Sequence, residues 1–219
     1  MIASELISTT ILPLKTSDTG KAALAVMGDF YVKHLPIVNN TQLLGVISED
    51  DVINNPMNEP VGSYDLGNKI PFVSYREHFF DIMRALAEND LSVIPVVDDD
   101  GNYMGMITQS DILSFYAKSF SFTEPGGILV LEVHKSDYSL AEISRIIESE
   151  NGAILSSFIS NSPNSNIVHV TLKIAKVELQ KIQATLERFE YTIKASFMET
   201  EYMDTLKDRY DLLMNYLDV

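Results

Sequence analysis

The chain has 219 residues, of which 46% are hydrophobic and 21% charged, so it contains enough apolar material for one large or two modest domains. It contains no cysteine, which excludes disulfides, thiolate metal sites and cysteine nucleophiles. Its 31 acidic residues against 16 Lys and Arg give a net charge of −15. This balance argues against nucleic acid or an anionic membrane as a partner, but a small pocket can still bind a nucleotide through backbone amides.

No segment predicts export or a membrane span. Residues 1–14 lack the basic start and unbroken apolar stretch of a signal peptide. No other stretch approaches the roughly 18 uninterrupted apolar residues that a membrane helix needs. We therefore expect a cytoplasmic protein.

An internal repeat occupies the first half of the chain. Residues 34–38 read His-Leu-Pro-Ile-Val, and residues 45–51 read Gly-Val-Ile-Ser-Glu-Asp-Asp. The second copy reads Val-Ile-Pro-Val-Val at 93–97 and Gly-Met-Ile-Thr-Gln-Ser-Asp at 105–111. The prolines of the two copies lie 59 residues apart and the glycines 60 apart, so the second copy has one extra residue in its turn. Turns tolerate insertions, and the shift therefore supports the alignment.

Each copy predicts the order helix, strand, turn, strand, helix. Apolar residues at helical spacing predict the first helix of each copy. These residues are Ala22, Ala23, Val26, Met27 and Phe30 in one copy, and Phe79, Ile82, Met83, Leu86 and Ala87 in the other. β-rich runs predict strands at 35–38, 43–47, 93–97 and 103–107. A helix is predicted to begin at Ser48 and at Thr108, and the prolines and glycine of 55–62 predict a connecting loop.

The repeated motif, a proline after apolar residues and then Gly-x-Ile-[Ser/Thr]-x-x-Asp, resembles the CBS repeat. Two copies in tandem resemble the CBS pair, or Bateman module, over about residues 1–120. The resemblance implies two small sheets flanked by helices, a pseudo-twofold axis, and two clefts that bind adenosine-containing ligands in many relatives. We expect the first repeat at 1–62 and the second at 63–122.

The resemblance also implies ligand-binding residues. Ser48 and Thr108 correspond to the family's hydroxyl near the ribose and phosphate, and Asp51 and Asp111 to the carboxylate that accepts hydrogen bonds from both ribose hydroxyls. The strand positions that line the family's cleft correspond to Lys15, His34, Ser74 and Val93. His34 could contact a phosphate, or it could be a polar residue at a strand entrance.

A second interpretation of the same residues is structural. Ser48 to Asp51 and Thr108 to Asp111 both have the pattern of a helix N-cap, a hydroxyl followed three residues later by an acid. The two roles are compatible, because an empty site can simply be a cap.

One departure from the family's pattern bears on the ligand. Relatives that hold polyphosphates often place a basic residue between the hydroxyl and the aspartate, whereas this chain has Glu49-Asp50 and Gln109-Ser110 there. An acid about 4 Å from a phosphate costs on the order of 1 kcal/mol in water and about 4 kcal/mol at an intermediate dielectric. We therefore expect the Thr108/Asp111 site to be the better one, and AMP or another low-charge adenosine ligand to be preferred over ATP.

The second half of the chain changes pattern after a Pro-Gly-Gly at 125–127. Strands are predicted at 128–133, 154–160, 167–174 and 191–197, and helices at 140–150 and 177–189. The order βαββαβ predicts a ferredoxin-like domain over 127–198.

The segment from Asp137 to Ile143 resembles the strand-to-helix turn of ACT domains. Ser139 stands near the place of that family's ligand-binding glycine, and it forms a capping-box pattern with Glu142. Without the glycine, close approach by an amino acid is harder, so we expect a dimerisation or structural role. A CBS pair followed by an ACT-like domain resembles the acetoin-utilisation-type CBS–ACT proteins.

The last segment, 199–219, predicts an amphipathic helix. Its apolar stripe has a heptad-like spacing, with Met203, Leu206, Tyr210, Leu213 and Leu217. Two heptads are too short for a free coiled coil, so the helix packs on its own domain or on a second subunit of a homodimer.

We expect an α+β chain: a CBS pair of α/β-type repeats, an ACT-like domain and a C-terminal helix. The favoured function is non-catalytic regulation by an adenosine-type ligand, and the alternative is a ligand-free scaffold or dimerisation module. An enzyme is disfavoured because no Ser-His-Asp or metal-ligand spacing is present and the four histidines are scattered. These histidines are His34, His78, His134 and His169.

Overall fold

The computed structural model describes residues 1–8, 10–65, 70–161 and 165–198, together with Met214 and Tyr216. The chain forms two compact units, Met1–Tyr116 and Ala117–Val219. Among the described residues, the first unit has two three-stranded sheets and the second has one four-stranded sheet. This mixed architecture confirms the predicted α+β fold class.

The first repeat has the predicted order of elements, preceded by a short additional strand. Its elements are β1 (Leu14–Lys15), α1 (Gly20–Phe30), β2 (His34–Asn39), β3 (Gln42–Ser48) and α2 (Glu49–Ile53). The Thr19 hydroxyl begins α1 by accepting a hydrogen bond from the Ala22 N–H (3.3 Å). Along β3 buried and less buried residues alternate, as expected for a strand with one face on a core.

The second repeat has the same order. Its elements are β4 (Val73–Ser74), α3 (Phe79–Glu88), β5 (Val93–Val97), β6 (Tyr103–Thr108) and α4 (Gln109–Ser119). In each sheet the short first strand pairs parallel with the second, and the second pairs antiparallel with the third. A register shift falls at the same place in both hairpins, between Ile37 and Val38 and between Val96 and Val97. The structure therefore repeats at the level of individual residues.

The segment before each repeat lies against the other repeat. A 3-10 helix at Ala3–Glu5 contacts the second repeat, where the N–H groups of Ala3 and Ser4 donate to the carbonyls of Glu77 and Tyr75 (2.9 and 3.0 Å). This exchange brings the start of the chain next to the β6–α4 corner.

The matching 3-10 helix at Val61–Ser63 contacts the first repeat. The N–H groups of Val61 and Gly62 donate to the carbonyls of Asp18 and Thr16 (2.7 and 3.0 Å), at positions equivalent to Glu77 and Tyr75. Val61 is fully buried in the core of the first repeat. Each repeat is thus completed by a segment that precedes the other.

The second unit has the predicted βαββαβ order. Its elements are β7 (Gly127–His134), α5 (Leu140–Ser149), β8 (Ile154–Asn161), β9 (Ile167–Ile174), α6 (Gln180–Arg188) and β10 (Thr192–Phe197). The strands are antiparallel in the order β10-β7-β9-β8, as in a ferredoxin-like sheet. The alternate residues Leu129, Leu131 and Val133 of β7 are buried in the core formed with α5 and α6.

Most boundaries of this unit differ from the prediction by one residue at most, and the start of α6 differs by three. Helix α6 begins at Gln180 rather than at 177, because its N-cap position is Leu179, which makes no side-chain cap hydrogen bond and is itself buried in the core. Strand β10 begins one residue later than predicted, at Thr192.

The predicted C-terminal stripe of Met203, Leu206, Tyr210, Leu213 and Leu217 lies outside the described residues. Within the residues that are described, no helix is long and apolar enough to cross a membrane.

Candidate ligand-binding clefts

The first strand-to-helix corner, between β3 and α2, is a complete capping box. The Ser48 hydroxyl accepts a hydrogen bond from the Asp51 N–H (3.0 Å) and donates one to Asp51 Oδ2 (2.6 Å). The Ser48 N–H donates to the same oxygen (2.8 Å). These bonds satisfy the free N–H groups at the start of α2.

The second corner, between β6 and α4, has the same geometry. The Thr108 hydroxyl accepts a hydrogen bond from the Asp111 N–H (3.0 Å) and donates one to Asp111 Oδ2 (2.7 Å), while the Thr108 N–H also donates to Oδ2 (2.9 Å). The structural interpretation of both motifs is therefore confirmed. In each corner Oδ2 carries the cap bonds, and no donor among the described residues reaches Oδ1.

Cleft 1 is a cavity of about 490 Å³ beside the first corner. It is lined by Lys33, His34, Ser48, Glu49, Asp50, Asn89, Asp90, Ser92 and Gln109. Three carboxylates face one lysine and one histidine, so the cleft has an acidic lining that opposes the binding of a phosphate.

His34 lines cleft 1 and is hydrogen-bonded to the second repeat through Nδ1. The Ser92 N–H donates to His34 Nδ1 (3.1 Å), and the Ser92 hydroxyl lies 3.2 Å from the same nitrogen. Burial lowers the pKa of His34 below its ordinary value of 6.5, although the nearby Asp90 carboxylate opposes the shift. His34 Nδ1 is therefore a hydrogen-bond acceptor at the entrance of β2, and contact of this side chain with a phosphate stays a prediction.

Cleft 2 is a cavity of about 490 Å³ beside the second corner. It is lined by Ser8, Thr10, Ile11, Phe30, Tyr31, Val32, Ser92, Thr108, Gln109, Ser110 and Asp111. One wall comes from the exchanged N-terminal segment, where the Ser8 N–H donates to the Met106 carbonyl (2.9 Å). The end of α1 and the residues after it add aromatic and apolar side chains to the lining, Phe30, Tyr31 and Val32.

The structure distributes the predicted site residues over several places. Ser48 and His34 line cleft 1, and Thr108 and Asp111 line cleft 2, whereas Asp51 lines neither. Two others line further cavities at the opposite ends of the strands, of about 480 Å³ at Lys15 and about 430 Å³ at Ser74.

Val93 lies in neither cleft. Its side chain is 0% exposed, and it belongs to the core shared with the first repeat. The alignment placed it correctly on a strand, but the equivalent position to His34 faces the interior in the second repeat.

Sequence reasoning missed the aromatic wall of cleft 2. In the sequence Phe30 indicates only the apolar period of α1, yet it is 39% exposed and lines the cleft together with Tyr31. The offset of 59 residues between the repeats was the signal that could have found them, because it makes Tyr31 equivalent to Asp90, which lines cleft 1. No group of three or more His, Asp or Glu side chains in the described part of the chain is placed to hold a metal ion.

Comparison with protein families decides the nature of the repeats. The CBS domain model matches residues 3–58 and again residues 61–118, just over half of the chain. The chain belongs to the CBS domain family. The two matches confirm the predicted CBS pair, whereas the likeness of the second unit to ACT domains and acetoin-utilisation-type proteins stays a prediction.

Curated relatives match about half of the chain. An uncharacterised protein of Methanocaldococcus jannaschii is 24% identical over 111 residues, which cover 50% of this chain and 42% of that protein. A homoserine O-acetyltransferase of Methanobrevibacter ruminantium is 28% identical over 113 residues, which cover 51% of this chain and 23% of that protein. The chain thus spans less than half the length of these relatives.

Solved structures resemble about half of the chain. A CBS domain pair/ACT domain protein from Thermotoga maritima is 16% identical, with a TM-score of 0.48 over 54% of this chain and 98% of that one. CBSX2 in complex with AMP is 23% identical, with a TM-score of 0.45 over 53% and 96%. The CBS domain of a bacterial CNNM/CorC family Mg²⁺ transporter in complex with ATP is 15% identical, with a TM-score of 0.42 over 52% and 85%.

Proposed function

We propose that the chain is a non-catalytic regulatory protein whose CBS pair senses an adenosine-containing ligand in cleft 2, with AMP preferred over ATP. The observation that carries this proposal is the Thr108/Asp111 corner, which opens into a cavity with an aromatic and apolar wall. The cavity, about 490 Å³, is of the size that small-molecule sites have. Regulation then requires that the ligand bind one conformation of the protein better than another.

The capping bonds prepare Asp111 to receive a sugar. Its Oδ2 accepts two hydrogen bonds, from the N–H and the hydroxyl of Thr108, so the carboxylate has a fixed orientation. Its Oδ1 remains available to a ribose hydroxyl. A binding group whose rotamer is already fixed loses less entropy when the ligand arrives.

The charge of cleft 2 supports a ligand with few phosphates. Among the described residues that line it, none is Lys or Arg, and Asp111 is an acid. Each further phosphate would add negative charge without a basic partner, in a chain whose net charge is −15. Cleft 1 is less favourable still, because Glu49, Asp50 and Asp90 line it.

Isothermal titration calorimetry with AMP and with ATP tests the proposal, using Asp111→Ala and, as a matched control, Asp51→Ala. Both variants lose a capping carboxylate and should lose a similar stability, on the order of 1 kcal/mol. We expect AMP to bind the wild type more tightly than ATP, and Asp111→Ala to weaken AMP at least about tenfold. Asp51→Ala should leave AMP affinity within about twofold of the wild type.

Tighter binding of ATP than of AMP would contradict the preference for low charge. Equal AMP affinity in wild type and Asp111→Ala would remove the carboxylate from the site. If Asp51→Ala alone weakened AMP, the first corner rather than the second would take part in binding.

The capping bonds also favour a second candidate, a scaffold with empty clefts that acts through partner surfaces. In that case Ser48, Asp51, Thr108 and Asp111 would serve their helices only. A thermal-shift screen with adenosine, AMP, ADP and ATP separates the two, because a ligand that binds only the folded protein raises its Tm. No shift with any of these at millimolar concentration would support the scaffold.

For the second unit we propose an ACT-like domain with a structural or dimerising role. Ser139 caps α5 by accepting from the Glu142 N–H (3.3 Å), so its hydroxyl is already engaged. The Glu142 carboxylate does not complete the predicted capping box but accepts a hydrogen bond from the Tyr191 hydroxyl (3.0 Å). Light scattering on the full chain, with and without amino acids, tests this role: a stable dimer unaffected by amino acids supports it, and a monomer contradicts it.

We further propose domain limits of 1–62, 63–122, 127–198 and 199–219, and a cytoplasmic location. The CBS matches at 3–58 and 61–118 support the first two limits. Limited proteolysis that cuts first near 120–127 would support the third, because exposed connections are cleaved before folded domains.

A further inference from the structure

Tyr31 and Asp90 occupy the same position in the two repeats, 59 residues apart, just after the helix that borders each cleft. Both have a left-handed backbone, with φ of 54° and 50°. At the end of a helix this conformation suits Gly or Asn, because a Cβ costs free energy there. A tyrosine at this position therefore does not serve the stability of α1.

Packing does not account for Tyr31 either. Its side chain is 96% exposed, the most exposed of the large hydrophobic residues in the described part of the chain. A ring that stays in water contributes almost no hydrophobic stabilisation, because it buries almost no apolar surface. Tyr31 nevertheless lines cleft 2, beside the half-exposed Phe30.

The lining of cleft 2 contains two kinds of side chain. Thr108 and Asp111 offer hydroxyl and carboxylate oxygens, whereas Ile11, Tyr31 and Val32 are apolar or aromatic. A nucleoside has the same division between a polar sugar and a flat base. Stacking on an aromatic side chain is a general way to bind a base, because every base has a π face.

Cleft 1 lacks this division. At the positions equivalent to Phe30 and Tyr31 it has Asn89 and Asp90, which also line their cleft. Neither residue offers a ring, and Asp90 adds a negative charge.

We infer that Tyr31 is the base-binding residue of cleft 2: its ring stacks on the base of the ligand while the Thr108/Asp111 corner holds the sugar. The inference rests on the proposed function and deepens it. Because Asp90 replaces the ring in cleft 1, one nucleotide binds per chain.

Calorimetry with AMP on Tyr31→Asn, Tyr31→Phe and Asp90→Asn tests the inference. Asn removes the ring and suits the left-handed backbone, so the variant should fold, as circular dichroism would verify. We expect Tyr31→Asn to weaken AMP about tenfold or more, and Tyr31→Phe to stay within about twofold of the wild type. Asp90→Asn, the matched change in cleft 1, should leave the affinity and a stoichiometry of about one per chain unchanged.

Each other outcome overturns a defined part of the argument. AMP binding that Tyr31→Asn leaves unchanged, or that Tyr31→Phe weakens as much as Tyr31→Asn, overturns the stacking role but leaves the proposed function standing. A stoichiometry of two overturns the difference between the clefts. A wild type that binds no AMP overturns the proposed function together with this inference.

Discussion

His34 stabilises the fold only while it is neutral. Its Nδ1 accepts the Ser92 N–H, and burial lowers its pKa from 6.5. An unfolded chain therefore binds this proton at a higher pH than the folded chain does. The contribution is fully present above about pH 6.5 and is lost as the pH falls through the lower folded pKa.

Replacing His34 with valine, the residue at the equivalent position 93, tests this effect. We expect the unfolding free energy of the wild type to fall more steeply between about pH 7 and pH 5 than that of His34→Val. Urea denaturation at several pH values measures both slopes, and the other titrating groups contribute equally to each. Parallel slopes would mean that the protonation of His34 is not coupled to folding.

At the scale of elements, two glycines have opposite roles. Gly28 lies in α1, where an added Cβ would meet nothing within 4 Å, so Gly28→Ala should stabilise the chain by roughly 0.5–1 kcal/mol. Gly105 lies in β6 with φ +156°, and an added Cβ would collide with Cγ2 of Ile7 in the exchanged N-terminal segment. Gly105→Ala should therefore destabilise it by about 1–3 kcal/mol.

Chemical denaturation of both variants measures the change in unfolding free energy, which should be positive for Gly28→Ala and negative for Gly105→Ala. A double variant with Ile7→Ala provides the control, because shortening Ile7 removes the atom that the new Cβ would meet. If the collision is the cause, Gly105→Ala should cost less in the Ile7→Ala background than in the wild type. Equal costs in both backgrounds would place the strain in the backbone of β6 instead.

Most elements could be predicted because their signals are local. The apolar period predicts α3, and Phe79, Ile82 and Leu86 of that pattern are buried. The other two residues of the pattern, Met83 and Ala87, are exposed. The start of α6 was predicted three residues too early. Leu179 at the N-cap position is not a typical capping residue, and as an apolar residue it fits the helical pattern that follows it.

At the scale of the whole molecule, the clefts could not be read from local patterns. Tyr31 and Thr108 line one cavity although 77 residues separate them in the sequence. Ser8 lines the same cavity because its N–H group is hydrogen-bonded to the Met106 carbonyl. The motif at each corner was visible in the sequence, but its opposite wall comes from the other repeat and from an exchanged segment. That wall is where the two clefts differ in chemistry.

The net charge of −15 also acts on the whole molecule. In the part of the chain that the structure describes, ion pairs such as Arg76–Asp99 (2.8 Å) and Arg84–Asp81 (2.7 Å) engage few of the acids, and these pairs are exposed. The remaining carboxylates repel one another more strongly in the compact state than in the unfolded chain. Salt should weaken this repulsion, because the screening length falls from about 30 Å at 0.01 M to about 3 Å at 1 M.

We therefore expect the Tm at neutral pH to rise as NaCl increases from about 0.01 M to 0.5 M. Sodium chloride is preferred to sulfate, which stabilises proteins through exclusion from their surface. The same series close to the isoelectric point, near pH 4.5, is the control, because little net charge remains there to be screened. A Tm that falls with salt at neutral pH, or that rises equally near pH 4.5, would show that self-repulsion does not limit the stability of this chain.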